Sequence, residues 1–252
     1  MKPIGIVSAL AAEARSLGPA APHGTGLRQL ADGALLAVSG IGRAAADAAA
    51  RRLVLAGASA LASFGMAGGL DPTLICGTVL LPEEVGAFDG AESRAAASVT
   101  SVTSREWRQR LRAALPAACL TCDGKLLGSE RPIGRTDAKA AAWRSTRAAA
   151  VDMESAAIAL VAGQAGLPFI AVRVIVDTAA DELPAAVIAA SGGGQLRLGR
   201  LFAGLLRAPG DVGPLIRLSA RYRIATRVLA AVARPGSPAR RALVGGPNPE
   251  MS

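Results

Sequence analysis

Aromatic residues make up only 3% of this 252-residue chain: two tryptophans, one tyrosine and four phenylalanines. Platforms that stack single-stranded bases need more than that, so nucleic acid is not an expected partner. Cysteine is equally sparse. Three thiols cannot make a full disulfide framework, which fits a reducing compartment. Cys119 and Cys122 form a lone C-x-x-C in ACLTCDG, and the single histidine, His23, lies far away in a Pro/Gly-rich stretch. The two thiols therefore read as core packing, and neither a metal nor a redox centre is expected. No apolar run reaches the roughly 18 residues of a membrane span. The N-terminal MKPIGIVSALAAEARSLG is interrupted by Glu13 and Arg15, unlike a signal peptide. A cytoplasmic protein is expected.

Acidic residues are nearly missing from one region. Residues 196–241 hold ten arginines against one acid, Asp211, which accounts for the whole net charge of +9. The rest of the chain is close to neutral, so basicity concerns the tail and not the fold.

What is present is alternation. PIGIVSAL (3–10), ALLAVSGIG (34–42), ALASFGMAGGL (60–70), GTVLLPEEV (77–85), ACLTCDGKLLG (118–128) and LPFIAVRVIVD (167–177) are apolar, β-branched runs that break into turns. Between them lie helical stretches: RAAADAAARRLVLAG after Gly42, residues 104–115 capped by Ser104, and 154–165. Nearly continuous apolar strands alternating with helices predict a single α/β domain with a central, mostly parallel mixed sheet flanked by helices. The core is placed at 1–195, a basic helical extension at 196–235, and a flexible tail at 236–252. Within 214–234, Leu215, Leu218, Tyr222, Ala225, Leu229 and Val232 form an apolar stripe about 100° wide, with arginines outside it. Such a stripe suits packing on the domain or on a dimer partner. It also suits an anionic membrane surface.

Chemistry in an open α/β sheet gathers beyond the carboxyl ends of strands. Glu13, the Gly40–Arg43 turn, the Gly65–Gly69 turn, Asp152, Glu154 and Asp177 all follow strands in this way. In VDMES (151–155) two carboxylates flank a methionine where a helix begins. Capping explains one of them. Arg173 interrupts a strand fit for full burial and needs an acidic partner, with Asp177 or another acid at the same sheet end as the candidate.

IGIVSALAAEA, VSGIGRAAADAA, GMAGGL, VDMESAAIA and FIAVRVIVDTAADE occur in the order, and at roughly the spacing, of the purine nucleoside phosphorylase/nucleosidase superfamily. The chain resembles the methylthioadenosine/S-adenosylhomocysteine nucleosidases over residues 3–185. Its Arg/Leu tail and GSERPIG segment resemble the hopanoid-biosynthesis-associated branch, in which adenine is removed from adenosylhopane. The resemblance implies cleavage of the N-glycosidic bond of an adenine nucleoside. It implies Asp177 as proton donor to the purine and Glu13 as the carboxylate that activates water. Glu154 would hold the ribose hydroxyls, Met153 would pack under the sugar, and Arg173 would lie near both acids. Ala67 and Gly68 match positions near base and ribose. Met66 and Val176 stand where many members carry serine.

The phosphorylase signature G-D-P-x-R is absent, and Arg43 is the remaining candidate for a phosphate contact. No cofactor is implied, with phosphate as the alternative nucleophile to water. A homodimer or higher homo-oligomer is expected, acting in the cytoplasm or at the inner membrane surface. A purine-salvage phosphorylase and a non-catalytic nucleoside-binding protein are the competing readings.

Overall fold

The computed structural model describes residues 2–24, 26–88, 99–184, 188 and 212–247. Its spine is a ten-residue strand, β5 (Ala60–Gly69), flanked along its first half by β1 (Ile4–Ser8) and along its other edge by β12 (Phe169–Asp177), both parallel to it. Outward from β1 the sheet continues through β4 (Leu35–Val38) and β3 (Leu27–Leu30) to β2 (Ala20–His23). The β2–β3 hairpin was not expected from its Pro/Gly-rich sequence. The second half of the sheet joins the spine through β11 (Ala150–Asp152), which runs antiparallel to the end of β5. Beyond it lie β10 (Lys125–Ser129), β7 (Glu84–Phe88) and β8 (Val99–Val102). Two short strands, β6 (Val79–Leu80) and β9 (Thr121–Cys122), extend the sheet from β12. The expected α/β architecture is present, a mixed and mostly parallel sheet with helices on both faces.

Strand β12 shows why the sheet is covered twice. Its residues alternate in direction, as a pleated strand must. Phe169, Ala171 and Ile175 pack under α2 (Arg43–Leu55) and α5 (Ser155–Gln164). Ile170, Val172 and Val174 pack with Trp107 and Leu111 of α3 (Arg105–Ala114) on the opposite face. Helix α2 meets the sheet through Ala46, Ala49, Ala50 and Leu53, a 3/4-spaced stripe of small residues that lets the helix approach closely. The Ser104 hydroxyl caps α3 as expected, accepting from the Trp107 N–H at 3.4 Å. The short α1 (Ala11–Arg15) follows β1, and α4 (Thr136–Thr146) lies between β10 and β11.

The C-terminal part selects one of the alternatives open for the apolar stripe and corrects one expectation. The amphipathic helix exists as α6 (Val212–Val232), but its stripe is not free: Ala225, Leu229 and Val232 are fully buried against Val172 and Val174 of β12. The helix completes the domain, because it shares with α3 the cover of this apolar sheet face. Residues 196–211 of the expected extension lie outside the described residues. The expected flexible tail holds a helix, α7 (Pro238–Val244), begun by the Ser237 hydroxyl and Pro238. It buries Ala239 and Leu243 beside Trp107, whose indole N–H donates to the Ala242 carbonyl at 3.0 Å. Arg240 pairs with Asp32 at 2.6 Å. Among the described residues, no helix is long and apolar enough to cross a membrane.

Candidate active site

A cleft of about 760 Å³ opens at the ends of β1, β11 and β12, with the second half of β5 as its floor. Glu13, Met66, Ala67, Gly68, Met153, Glu154 and Asp177 all line it. The sequence places these residues far apart, and the parallel crossings bring them together. Glu13, Asp152, Glu154, Arg173 and Asp177 are each between 3% and 7% exposed, so their charges face one another with little water between.

Glu13 sits in the first turn of α1. Its carboxylate accepts the Leu10 N–H at 3.0 Å and the Met66 N–H at 2.9 Å. These bonds hold the side chain under β5, and a glycine makes room for it. A Cβ on Gly65 would stand 2.8 Å from both Glu13 Oε1 and Arg173 Nη1, closer than atoms tolerate. Burial pushes the Glu13 carboxyl up, against the pull of Arg173.

The two acids of VDMES divide their work. Asp152 is structural: it accepts from the N–H and hydroxyl of Ser155, capping α5, and from Arg173 Nε at 2.7 Å. Glu154 is thereby left to face the cleft, and its carboxylate accepts the Gly42 N–H at 2.7 Å. Gly42 has a φ of 101°, a conformation that suits glycine and aims that N–H across the cleft. Burial, joined by the nearby Asp152 charge, raises the Glu154 pKa to about 7.

Of the two alternatives for its partner, Arg173 takes another acid at the same sheet end, Asp152, and not Asp177. It lies on the α5 side of β12, level with β11, and its partners are Asp152, Ser63 at 2.6 Å and Ser155 at 3.0 Å. Burial disfavours its charge, but Asp152, Glu154 and Glu13 together more than hold it. Arg173 also does not line the cleft, so its expected place at the substrate is corrected to one behind the wall, where it braces the carboxylates.

Asp177 owes its position to an irregularity. The β12–β5 register shifts between Ile175 and Asp177, a bulge at Val176. Strict alternation sends neighbouring residues to opposite faces, whereas here Val176 and Asp177 both line the cleft. Burial raises the Asp177 pKa, opposed by an ammonium absent from the sequence reading: Lys139 of α4, fully buried and in direct contact with the carboxylate. The helix signal was available in TDAKAAAW, where Lys139 and Ala142 fall on one face. A lysine among alanines instead reads as solvated.

Arg43, the phosphate candidate, lines a separate groove of about 830 Å³ and not this cleft. The two share the Arg131–Ile133 segment as a wall. The far side of the cleft is closed by Leu218, Ser219, Tyr222 and Arg223 of α6. Tyr222 is the chain's one tyrosine, and burial pushes its hydroxyl pKa up. With Ala9, Leu10, Ile41, Ile133 and Leu183, this wall makes most of the lining apolar. Among the described residues, no group of three or more His, Cys, Asp or Glu side chains could hold a metal ion. Cys119 and Cys122 are half-buried free thiols, and burial pushes the Cys122 pKa up to about 11.

A sequence model of the phosphorylase superfamily matches residues 5–207. No curated protein matches the chain significantly. Among solved structures, the chain is similar to the 5′-methylthioadenosine/S-adenosylhomocysteine nucleosidase of Neisseria meningitidis in complex with methylthio-immucillin-A. That match has 20% identity and a TM-score of 0.65, and covers 92% of this chain and 99% of the other. The corresponding nucleosidase of Helicobacter pylori matches at 19% identity and a TM-score of 0.64, over 91% and 96% of the two chains. Futalosine hydrolase of Helicobacter pylori matches at 20% identity and a TM-score of 0.63, over 86% and 97%. At such identities the likeness is one of fold.

Proposed function

The chain belongs to the phosphorylase superfamily, and from that premise we propose that it hydrolyses the N-glycosidic bond of an adenine nucleoside whose 5′ arm is large and apolar, as in adenosylhopane. One observation carries the reading: four buried carboxyl groups, Glu13, Glu154, Asp177 and the Arg173-paired Asp152, line a cleft that is otherwise mainly apolar.

Breaking the C1′–N9 bond sends its electron pair to the departing purine and leaves positive charge on the ribose. Asp177, its pKa raised by burial, gives its proton to purine N7 and so discharges the leaving base. Glu154 accepts hydrogen bonds from the ribose hydroxyls, and its charge favours the cationic sugar. Water adds its oxygen to C1′ and passes a proton to Glu13. Water is favoured over phosphate because a buried carboxylate repels a phosphate dianion, and Arg43 faces a different groove. The mainly apolar lining of the cleft, to which α6 adds Leu218 and Tyr222, supports a hydrophobic 5′ arm. The exposed Arg217, Arg223, Arg227 and Arg234 support contact with an anionic membrane in which such a substrate would lie.

The test is incubation with adenosylhopane and, separately, with methylthioadenosine, each with and without phosphate. Adenine and a free sugar should appear without phosphate, faster from adenosylhopane, and Glu13→Gln should abolish release. A sugar phosphate that forms only when phosphate is present would overturn the hydrolytic assignment. Equal or faster cleavage of methylthioadenosine would overturn the hydrophobic-arm assignment.

A further inference from the structure

Lys139 has no exposed surface at all, a costly place for an ammonium. Three acceptors surround its Nζ: the Asp177 carboxylate, the Thr178 carbonyl at 2.8 Å and the Asp181 carbonyl at 2.9 Å. An ammonium has three protons and no lone pair, so this set uses it completely. Both carbonyls belong to the loop leaving β12. One side chain from α4 therefore ties down that loop and the acid at its start.

Other groups face Asp177 from every side. The Cys76 thiol lies before β6, and its pKa is raised mainly by burial and further by the Asp177 charge. Arg221 of α6 also favours the Asp177 carboxylate, but its guanidinium is paired with the Asp181 carboxylate, which caps Thr178 in turn. From β5, the backbone of Gly68 leaves the space a Cβ would fill 3.1 Å from Asp177 Oδ2. Lys139 is the cation in direct contact.

We propose that Lys139 is the positioning residue of the proton donor, holding Asp177 Oδ2 so that Oδ1 carries the proton toward the base, and stabilising the carboxylate that remains after transfer. The inference rests on Asp177 being the acid. In the step itself, the Asp177 O–H bond breaks, the proton forms a bond to N7, and the C1′–N9 pair leaves with the base. Lys139 keeps all its protons throughout.

The readout is the pH profile. Asp177 must be protonated to donate, so activity falls as pH rises through its pKa. A contacting cation lowers a carboxyl pKa by about 1–3 units. Lys139→Met should therefore move the alkaline limb of kcat/KM upward by at least about one pH unit. The same change should lower kcat about tenfold or more, because the acid is weaker and less well aimed, and should leave KM nearly unchanged. Lys139→Gln keeps a neutral donor and should move the limb equally if charge is what matters.

An unmoved limb in either folded variant overturns the role of Lys139. Asp177→Asn separates the two claims: near-normal turnover there removes Asp177 as acid, whereas a dead Asp177→Asn with an unmoved limb in Lys139→Met removes only Lys139. Should neither lysine variant fold, infrared titration of the wild-type protein decides. Carboxyl bands are assigned by their loss in Asp177→Asn and Glu154→Gln. As pH rises Asp177 should release its proton before Glu154, which is similarly buried but has no ammonium in contact. Release after Glu154 overturns the proposal.

Discussion

Glu154→Gln should stabilise this protein while disabling it. The Glu154 carboxyl has an ordinary pKa of 4.5 that burial, together with the neighbouring Asp152 charge, raises to about 7 in the folded state. Between those values the folded chain holds a proton here that the unfolded chain has released. Stability at this group is thus fully present below pH 4.5, declines as pH rises, and is lost above about pH 7. A shift of about 2.5 units corresponds to roughly 3 kcal/mol. Glutamine removes that penalty but weakens one bond: the Gly42 N–H now meets a neutral acceptor in place of a charged one, a loss of about 1 kcal/mol. The variant should therefore be more stable than wild type by about 2 kcal/mol at pH 8, with the gap closing by pH 4. Urea denaturation of both proteins at pH 4, 6 and 8 measures it, alongside adenine release. A variant less stable at pH 8, or a gap that does not change with pH, would refute the reasoning. The expected pattern is that of a site whose geometry serves charge placement at the expense of the fold.

Much of this was legible because it depends on period and order. β12 reads as a fully buried strand from nine residues of which seven are apolar, and such strands need helices on both faces. The carboxylates were legible because each follows a strand, and strand ends converge. What periodicity does not reveal is destination. The α6 stripe shows that a face is buried, but the same stripe would serve a bilayer, a second copy or the domain's own sheet. Only the apolar back of β12 decides between them. Partner choice stayed open for a similar reason. Arg173 and Asp177 are four residues apart on one strand, but the bulge at Val176 turns Asp177 toward α4, while the Arg173 guanidinium lies level with β11 and meets Asp152. Helix α7 carried plain signals, Ser-Pro at its start and Gly245 at its end, yet its short, Pro/Gly-flanked sequence looks like tail until Trp107 is seen beneath it.

Arg173→Met should cost about 3–5 kcal/mol in denaturant unfolding, since it strands the buried Asp152 charge beside Glu13 and Glu154. Adding Asp152→Asn should restore part of that loss, and a single variant within about 1 kcal/mol of wild type would show the pair to be dispensable. The last expectation concerns α6, whose two faces should be separable. Arg223 and Arg227 project roughly opposite the buried Ala225–Leu229–Val232 stripe, and Arg217 and Arg234 are exposed as well. Near an anionic surface each contributes about 1 kcal/mol, so replacing Arg217, Arg227 and Arg234 by glutamine, with Arg223 kept because it lines the cleft, should weaken vesicle binding up to about a hundredfold at low salt. Thermal stability and cleavage of methylthioadenosine should stay close to wild type, because none of the three is in the core or lines the cleft. Leu229→Ala should do the reverse: it opens a void against β12, costing about 2–5 kcal/mol, and leaves the arginines in place. Binding should also fade as salt shortens the reach of the charges to about 8 Å at physiological ionic strength. If the wild-type protein ignores phosphatidylserine vesicles at low salt, α6 is a structural helix alone, and a hydrophobic substrate must reach the cleft by another route.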